Sequence, residues 1–83
     1  MDIAYTKHAL RAMEEREIRK DWVGRTIGNP ELIMPDPVDS TVQRYFCTIP
    51  EFGGRVLRVA VNTKVDPACV VSVFFDRNMK GRL

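Results

Sequence analysis

One histidine and a set of arginines are the residues best suited to chemistry in this chain of 83 residues. His8 is the sole histidine, and the spacing of Arg11 and Glu15 places all three side chains within about 60° of one another on a helix. Arg16 lies roughly 80° from His8 on the same helix. An imidazole beside guanidinium groups can move protons next to a bound phosphate, which makes His8 and Arg16 candidate catalytic residues and Arg11 a candidate phosphate contact. The alternative is an exposed Arg11–Glu15 salt bridge, with His8 merely filling the first helical turn.

The second half of the chain carries the excess of positive charge. Residues 1–40 contain six Lys and Arg against eight Asp and Glu, whereas residues 41–83 contain seven against three. Arginine binds phosphate through paired N–H groups, and aromatic rings stack on bases. A charge inside an otherwise apolar strand must face water or a ligand, which makes Arg58 a third candidate catalytic residue. The candidate RNA contacts are Arg11, Arg44, Arg55, Arg77 and Lys80, and the alternative for each is a solvated surface position.

Other kinds of site lack the residues that they need. Cys47 and Cys69 are too few for a zinc site and have no histidine nearby, so both are interpreted as small apolar residues. The sequence contains no glycine-rich phosphate loop, and Glu14 and Glu15 are neighbours that point apart on a helix. We therefore expect no metal and no cofactor.

Length and hydropathy predict a single domain over residues 1–83. No run of about 18 apolar residues is present to span a membrane. The first residues lack the basic start and the apolar stretch of a signal peptide, so we expect a cytoplasmic protein.

Hydrophobic spacing predicts two helices followed by strands. Thr6 is a suitable N-cap for a first helix, and a second helix begins near Arg19, with Gly28 as its C′ residue and Asn29-Pro30 stopping it. The predicted strands cover residues 31–34, 41–49, 55–62 and 68–76, with a short opening strand over residues 2–5. This order predicts an α+β fold in which an N-terminal helix pair packs on a three- to four-stranded antiparallel sheet.

The last strand is apolar on both faces. Val71, Val73 and Phe75 alternate with Val70, Ser72 and Phe74. Either the tail or the opening strand covers the second face, or a partner protein or RNA bases cover it. Val70 and Phe74 are therefore candidate partner-binding residues.

The segment from Tyr5 to Ile18 resembles the "T-x-H-A-x-x-R-M-x-x-R-x-I" opening of a family of small bacterial and archaeal domains of unknown function. In that pattern an arginine precedes the methionine, where this chain has Ala12, with Arg11 one place earlier. Residues 21–30 are similar to the family's "W-V-x-x-x-I-x-N-P" second helix. Residues 52–59 resemble its central hairpin and residues 73–77 its end, so the resemblance covers nearly the whole chain.

That family is related to RelE/ParE-like and BrnT-like toxins, so the resemblance implies a toxin-like fold and a toxin–antitoxin pair. RelE-like toxins cleave messenger RNA, whereas ParE-like toxins poison gyrase. The residues that match the family's pattern are His8, Arg11, Arg16, Arg55, Arg58 and Arg77. The implied function is an RNA-binding toxin with mRNA endoribonuclease activity, acting on RNA or at the ribosome and held by a small antitoxin. The alternative is a non-catalytic protein-binding module with a toxin-like fold.

Overall fold

The chain folds as two helices packed on one face of a five-stranded sheet, within residues 2–83 that the computed structural model describes. Two single 3-10 turns follow β3 and β5, and we call them the hairpin turn (Pro50–Phe52) and the C-terminal turn (Arg77–Met79). Neither helix in this range is long and apolar enough to cross a membrane. The elements in chain order are β1 (Ile3–Tyr5), α1 (Lys7–Glu15), α2 (Lys20–Gly28), β2 (Leu32–Pro35), β3 (Val42–Ile49), β4 (Arg55–Asn62) and β5 (Ala68–Phe75).

Local signals set the helix boundaries. Thr6 is the N-cap of α1, and its hydroxyl oxygen accepts a hydrogen bond from the Ala9 amide at 3.1 Å. The chain then turns at Glu17, whose φ of 54° lies in the left-handed region, so that α2 can begin after Arg19. The predicted second helix is thus confirmed within one residue at its start.

The sheet has the strand order β1-β5-β4-β3-β2. Neighbouring strands are antiparallel except for β1, which runs parallel to β5. The sheet is therefore mixed and five-stranded, and differs from the expected antiparallel sheet of three to four strands. The difference arises at the opening strand, because Ile3 pairs with Ala68 and the Thr6 amide donates to the Val70 carbonyl at 3.0 Å. Nothing in the local pattern of residues 2–5 identifies that distant partner.

The helices cover the face of β4 that the alternation predicts. Leu57, Val59 and Val61 are at most 1% exposed and pack with residues of both helices. On β5 the alternation is broken by a β-bulge, since Val61 pairs with Val70 while Ala60 pairs with Ser72.

The bulge moves Val70 to the helix-facing side, where its side chain is 0% exposed. The prediction that Val70 shares a face with Phe74 is wrong, and Val70 cannot contact a partner while the protein stays folded. Val71 is the extra residue that causes the change of face.

We call the side of the sheet away from the helices the outer face. Its apolar side chains on β3 and β4 are shielded from water, since Phe46 is 3% exposed and Val56 is 1% exposed, whereas Met34 on the edge strand β2 is 45% exposed. Val42 and Ala60 on the same face are buried as well. The opening strand does not cover this face, because β1 lies beside β5 at the edge of the sheet.

Val70→Ala removes most of a fully buried side chain, so we expect the free energy of unfolding to fall by about 2 kcal/mol. Val71 is only half-buried, and the control Val71→Ala should cost about half as much or less. Urea denaturation measures both changes. A larger loss for Val71→Ala than for Val70→Ala would contradict the bulge.

Candidate nucleic-acid interface

A groove of about 710 Å³ lies where the end of α1, the hairpin turn and the C-terminal turn meet. We call it the basic groove, since four cationic side chains and a single carboxylate of residues 2–83 line it. Its lining residues are Arg16, Phe52, Arg55, Val56, Phe75, Asp76, Arg77 and Lys80.

Each cation of the basic groove is placed at the end of an element rather than within one. Arg16 is the C-cap of α1, and its amide donates to the Ala12 carbonyl at 3.1 Å. Arg55 opens β4 directly after Gly53 and Gly54, whose φ values of 68° and 71° make the reversal that glycine accepts without strain. The remaining two cations come from the C-terminal turn and the residue after it.

The four groove cations are exposed. None of them forms an ion pair with a carboxylate anywhere in residues 2–83. Their charge is therefore available to an anionic ligand, and phosphate groups are the anions that arginine side chains bind best.

Aromatic rings form one wall of the basic groove. Phe52 and Phe75 stack with ring centroids 4.9 Å apart, and the buried Trp22 contacts Phe52 at 5.4 Å and Phe75 at 6.1 Å. The Arg55 guanidinium lies 4.9 Å from the Phe52 centroid, on the rim of this cluster. Rings beside cations suit a ligand that carries both flat bases and phosphates.

A two-point ion pair holds the hairpin turn against α2. Arg25 donates from Nη1 to Glu51 Oε1 at 2.8 Å and from Nη2 to Glu51 Oε2 at 2.7 Å. The hydrogen bond from Arg25 lowers the pKa of Glu51 to about 2. Because both side chains are partly exposed, the pair positions Phe52 more than it stabilises the fold.

The predicted RNA contact Arg44 and the candidate catalytic residue Arg58 lie on the outer face and have carboxylate partners of their own. Arg44 Nε donates to Asp36 Oδ2 at 3.2 Å. Arg58 Nη1 is 3.5 Å from Asp76 Oδ2, and its guanidinium lies 4.0 Å from the Phe74 ring centroid. Burial, together with the charge of Arg44, lowers the pKa of Arg58. These two arginines are thus separated from the four in the basic groove.

A second, smaller cavity of about 250 Å³ lies beside α1 and brings His8, Arg11 and Arg16 together, as their helical spacing predicts. Glu15, Ser72 and Phe74 also line it, and no Arg11–Glu15 ion pair forms among the described residues. Arg16 is common to both cavities. His8 stands about 12 Å from Arg16 along the helix axis, so only a ligand that runs along α1 can reach His8 and the basic groove together.

The remaining titratable side chains do not assemble a metal centre. No cluster of three or more His, Cys, Asp or Glu that could hold a metal ion occurs in the part of the chain that the structure describes. Cys47 and Cys69 are both free thiols, and burial raises the pKa of Cys47.

Several residues of the basic groove were not predicted from the sequence. Phe52, Phe75 and Asp76 are not suggested by charge or spacing, because their roles depend on contacts between distant elements. The only local signal is the Gly53-Gly54 pair, which marks a hairpin and so places Phe52 near its tip.

The sequence matches a family model described as a domain of unknown function (DUF4258) over residues 5–75. The matched range runs from α1 through β5 and includes His8, Arg16 and Arg55, but it ends before Arg77 and Lys80. No curated protein and no solved structure matches the chain. No activity is assigned to this family by its description, and the chemistry of the basic groove is the guide to function.

Glu51 gives the hairpin turn a defined pH dependence. Its pKa in the folded protein, about 2, lies below the usual 4.5, so the ion pair contributes its full stability above about pH 5 and loses it as the pH falls toward 2. We therefore expect the difference in unfolding free energy between the wild type and Glu51→Gln to shrink over that interval. Urea titrations at each pH measure it, with the other carboxylates common to both proteins. A difference that stays constant down to about pH 2 would contradict the assignment.

Proposed function

The chain belongs to the DUF4258 family, and we propose that it is a toxin-like protein that binds single-stranded RNA in the basic groove. The observation that carries this proposal is the set of four exposed cations that lie beside the Phe52 and Phe75 rings and have no carboxylate partner among residues 2–83. Phosphates would lie against the cations. A base would stack where the Arg55 guanidinium lies over the Phe52 ring.

The aromatic wall favours a single strand over a duplex. In duplex RNA the bases are stacked on one another and present no free ring face, so a duplex would engage only the cations. A volume of about 710 Å³ is in the range of cavities that hold nucleotide-sized ligands. The groove is therefore suited to a few unpaired nucleotides.

The resemblance to RelE/ParE-like toxins supports an RNA target. RelE-like toxins use basic side chains of the sheet and the tail, and Arg55, Arg77 and Lys80 occupy such places here. We therefore place the protein with the RNA-directed members rather than with those that poison gyrase.

We further propose that His8 is the proton-transfer group of an RNA cleavage. The ribose 2′-oxygen would attack the adjacent phosphorus, the bond from phosphorus to the 5′-oxygen would break, and a cyclic phosphate would form. His8 would take the 2′-hydroxyl proton, water would protonate the departing 5′-oxygen, and Arg11, one helical turn from His8, would stabilise the charge on that phosphate. Arg16, farther along α1, would hold a neighbouring phosphate of the same strand. Arg58 has no part in this step because Asp76 and Phe74 already hold it.

The antitoxin would bind over the small cavity rather than across the outer face. On β3 and β4 the buried Phe46 and Val56 leave little apolar surface on the outer face, and the exposed Met34 lies apart on the edge strand β2. Phe74 is half-buried and lines the small cavity together with Arg11 and Arg16. An antitoxin segment with acidic and apolar side chains would suit this combination.

Arg55→Ala and Arg77→Ala each remove one cation of the basic groove. We expect each to weaken binding of a single-stranded RNA of about 12 nucleotides by about threefold to tenfold, and to reduce the salt dependence by about one phosphate contact. Fluorescence anisotropy at several salt concentrations measures both effects. Arg19→Ala is the matched control, because Arg19 carries the same charge outside the groove and pairs with Asp21. Equal losses of affinity in all three variants would mean that only the net charge of the protein matters, and would contradict RNA binding in the basic groove.

His8→Ala should abolish RNA cleavage while leaving RNA binding within about twofold of the wild type, because His8 does not line the basic groove. The protein is induced alone in a bacterial host, growth is followed, and RNA ends are mapped in the same cells. New discrete ends that are absent with His8→Ala support the endoribonuclease.

The same ends with His8→Ala would remove His8 from the mechanism. Normal growth and unchanged RNA, with folded protein in the cells, would favour the alternative of a non-catalytic protein-binding module.

A further inference from the structure

We infer that Asp76 and Arg58 are positioning residues, which hold the C-terminal turn so that Arg77 and Lys80 face the basic groove. The consequence for RNA rests on the function proposed above, whereas the positioning itself can be tested without RNA. Asp76 is the one carboxylate that lines the groove. Its negative charge opposes an anionic ligand, so Asp76 must serve a purpose other than contact with that ligand.

Each polar group of Asp76 either joins the C-terminal turn to the sheet or caps the turn itself. Its amide donates to the Val56 carbonyl at 2.9 Å, which continues the pairing of β5 with β4 by one residue. Its Oδ1 accepts from the Asn78 amide at 3.0 Å, and its carbonyl accepts from the Met79 amide at 3.2 Å. Its Oδ2 faces Arg58 Nη1 at 3.5 Å. Asp76 is therefore both the N-cap of the turn and its connection to β4.

The C-terminal turn has little else to hold it. It is a 3-10 helix of three residues with no fully buried side chain, and Arg77, Asn78 and Lys80 are exposed. Turns this short are unstable alone, because fixing their backbone dihedrals is compensated by few hydrogen bonds. The cap and the ion pair of Asp76 therefore contribute much of its order.

Arg58 is a rigid partner for this purpose. It lies in the central strand, it stacks on Phe74, and only about a fifth of its side chain is exposed, 21%. Its Nε is buried and has no hydrogen-bond partner among residues 2–83. The guanidinium is thus oriented toward Phe74 and Asp76 at the expense of one donor, a cost in stability that its contacts with Phe74 and Asp76 must offset.

A fixed turn reduces the conformational freedom that Arg77 and Lys80 lose when RNA binds. Without Asp76 the two side chains would start from a disordered segment, and ordering that segment would oppose binding. Asp76→Ala also removes a negative charge from the groove, which by electrostatics alone should strengthen RNA binding. The two roles of Asp76 therefore predict changes of opposite sign.

The first experiment measures backbone order without RNA. We expect the NMR amide order parameters of residues 77–82 to fall from about 0.85, typical of rigid backbone, to below about 0.6 in Asp76→Ala. Asp76→Asn keeps an acceptor for the Asn78 amide but loses the ion pair, so an intermediate fall is expected, and this variant replaces Asp76→Ala if the latter fails to fold. Asp36→Ala is the matched control, since it removes the partner of Arg44 on the same face and should leave residues 77–82 unchanged.

The second experiment measures affinity for a single-stranded RNA of about 12 nucleotides. We expect Asp76→Ala to weaken binding by about threefold to tenfold, and Arg77→Ala with Lys80→Ala to weaken it less in the Asp76→Ala protein than in the wild type. Binding that stays equal or becomes tighter, or order parameters that do not change, would overturn the inference. If the wild type binds no RNA but the order parameters fall, the positioning role stands and the proposed function fails.

Discussion

The central strand β4 has a neighbour on each edge and is buried on both faces, and the positions of the other elements follow from this burial. Leu57, Val59 and Val61 need the two helices above them. Val56 and Ala60, on the outer face, are also shielded from water. Arg58 is the single charged residue in the interior of this strand, which begins at Arg55, and it can remain there only because Phe74 covers its guanidinium and Asp76 balances its charge. The charge of Arg58 in the sheet thus favours a carboxylate directly after β5, where Asp76 lies.

The same constraint divides the arginines into two classes. Arg44 and Arg58 project from strand interiors, where a charge without a partner would be costly, and each has an aspartate beside it. The cations of the basic groove project from element ends, where water solvates them and no carboxylate is required. Only cations of the second class can bind phosphate without breaking an existing pair. The position of an arginine within its element, rather than its presence on the sheet, therefore decides whether it can serve the groove.

This division also explains which features of the fold and of the site could be predicted from the sequence. The helices, β4 and the grouping of His8 with Arg11 and Arg16 follow from local periodicity, and all are present in the structure. Four features depend on contacts between distant residues: the parallel pairing of β1, the bulge beside Val70, the partner of Arg58 and the ring cluster. Alternation along one strand cannot reveal a bulge, because the extra residue is defined only against the neighbouring strand. Charge counts likewise located the basic half of the chain but could not show which arginines are already paired.

Two carboxylates of the basic half of the chain hold the turns that border the groove. Residues 41–83 contain only Glu51, Asp66 and Asp76 as acidic side chains. Glu51 pairs with Arg25 and Asp76 with Arg58, and neither arginine lines the basic groove. The two carboxylates nearest the groove are therefore occupied in holding its two walls, the hairpin turn and the C-terminal turn. An ion pair that anchors a wall cannot also neutralise the cations on it, so the arrangement orders the groove and preserves its positive charge at once. A surface selected for solubility alone has no need of that combination, whereas a site for an anionic strand requires both parts of it.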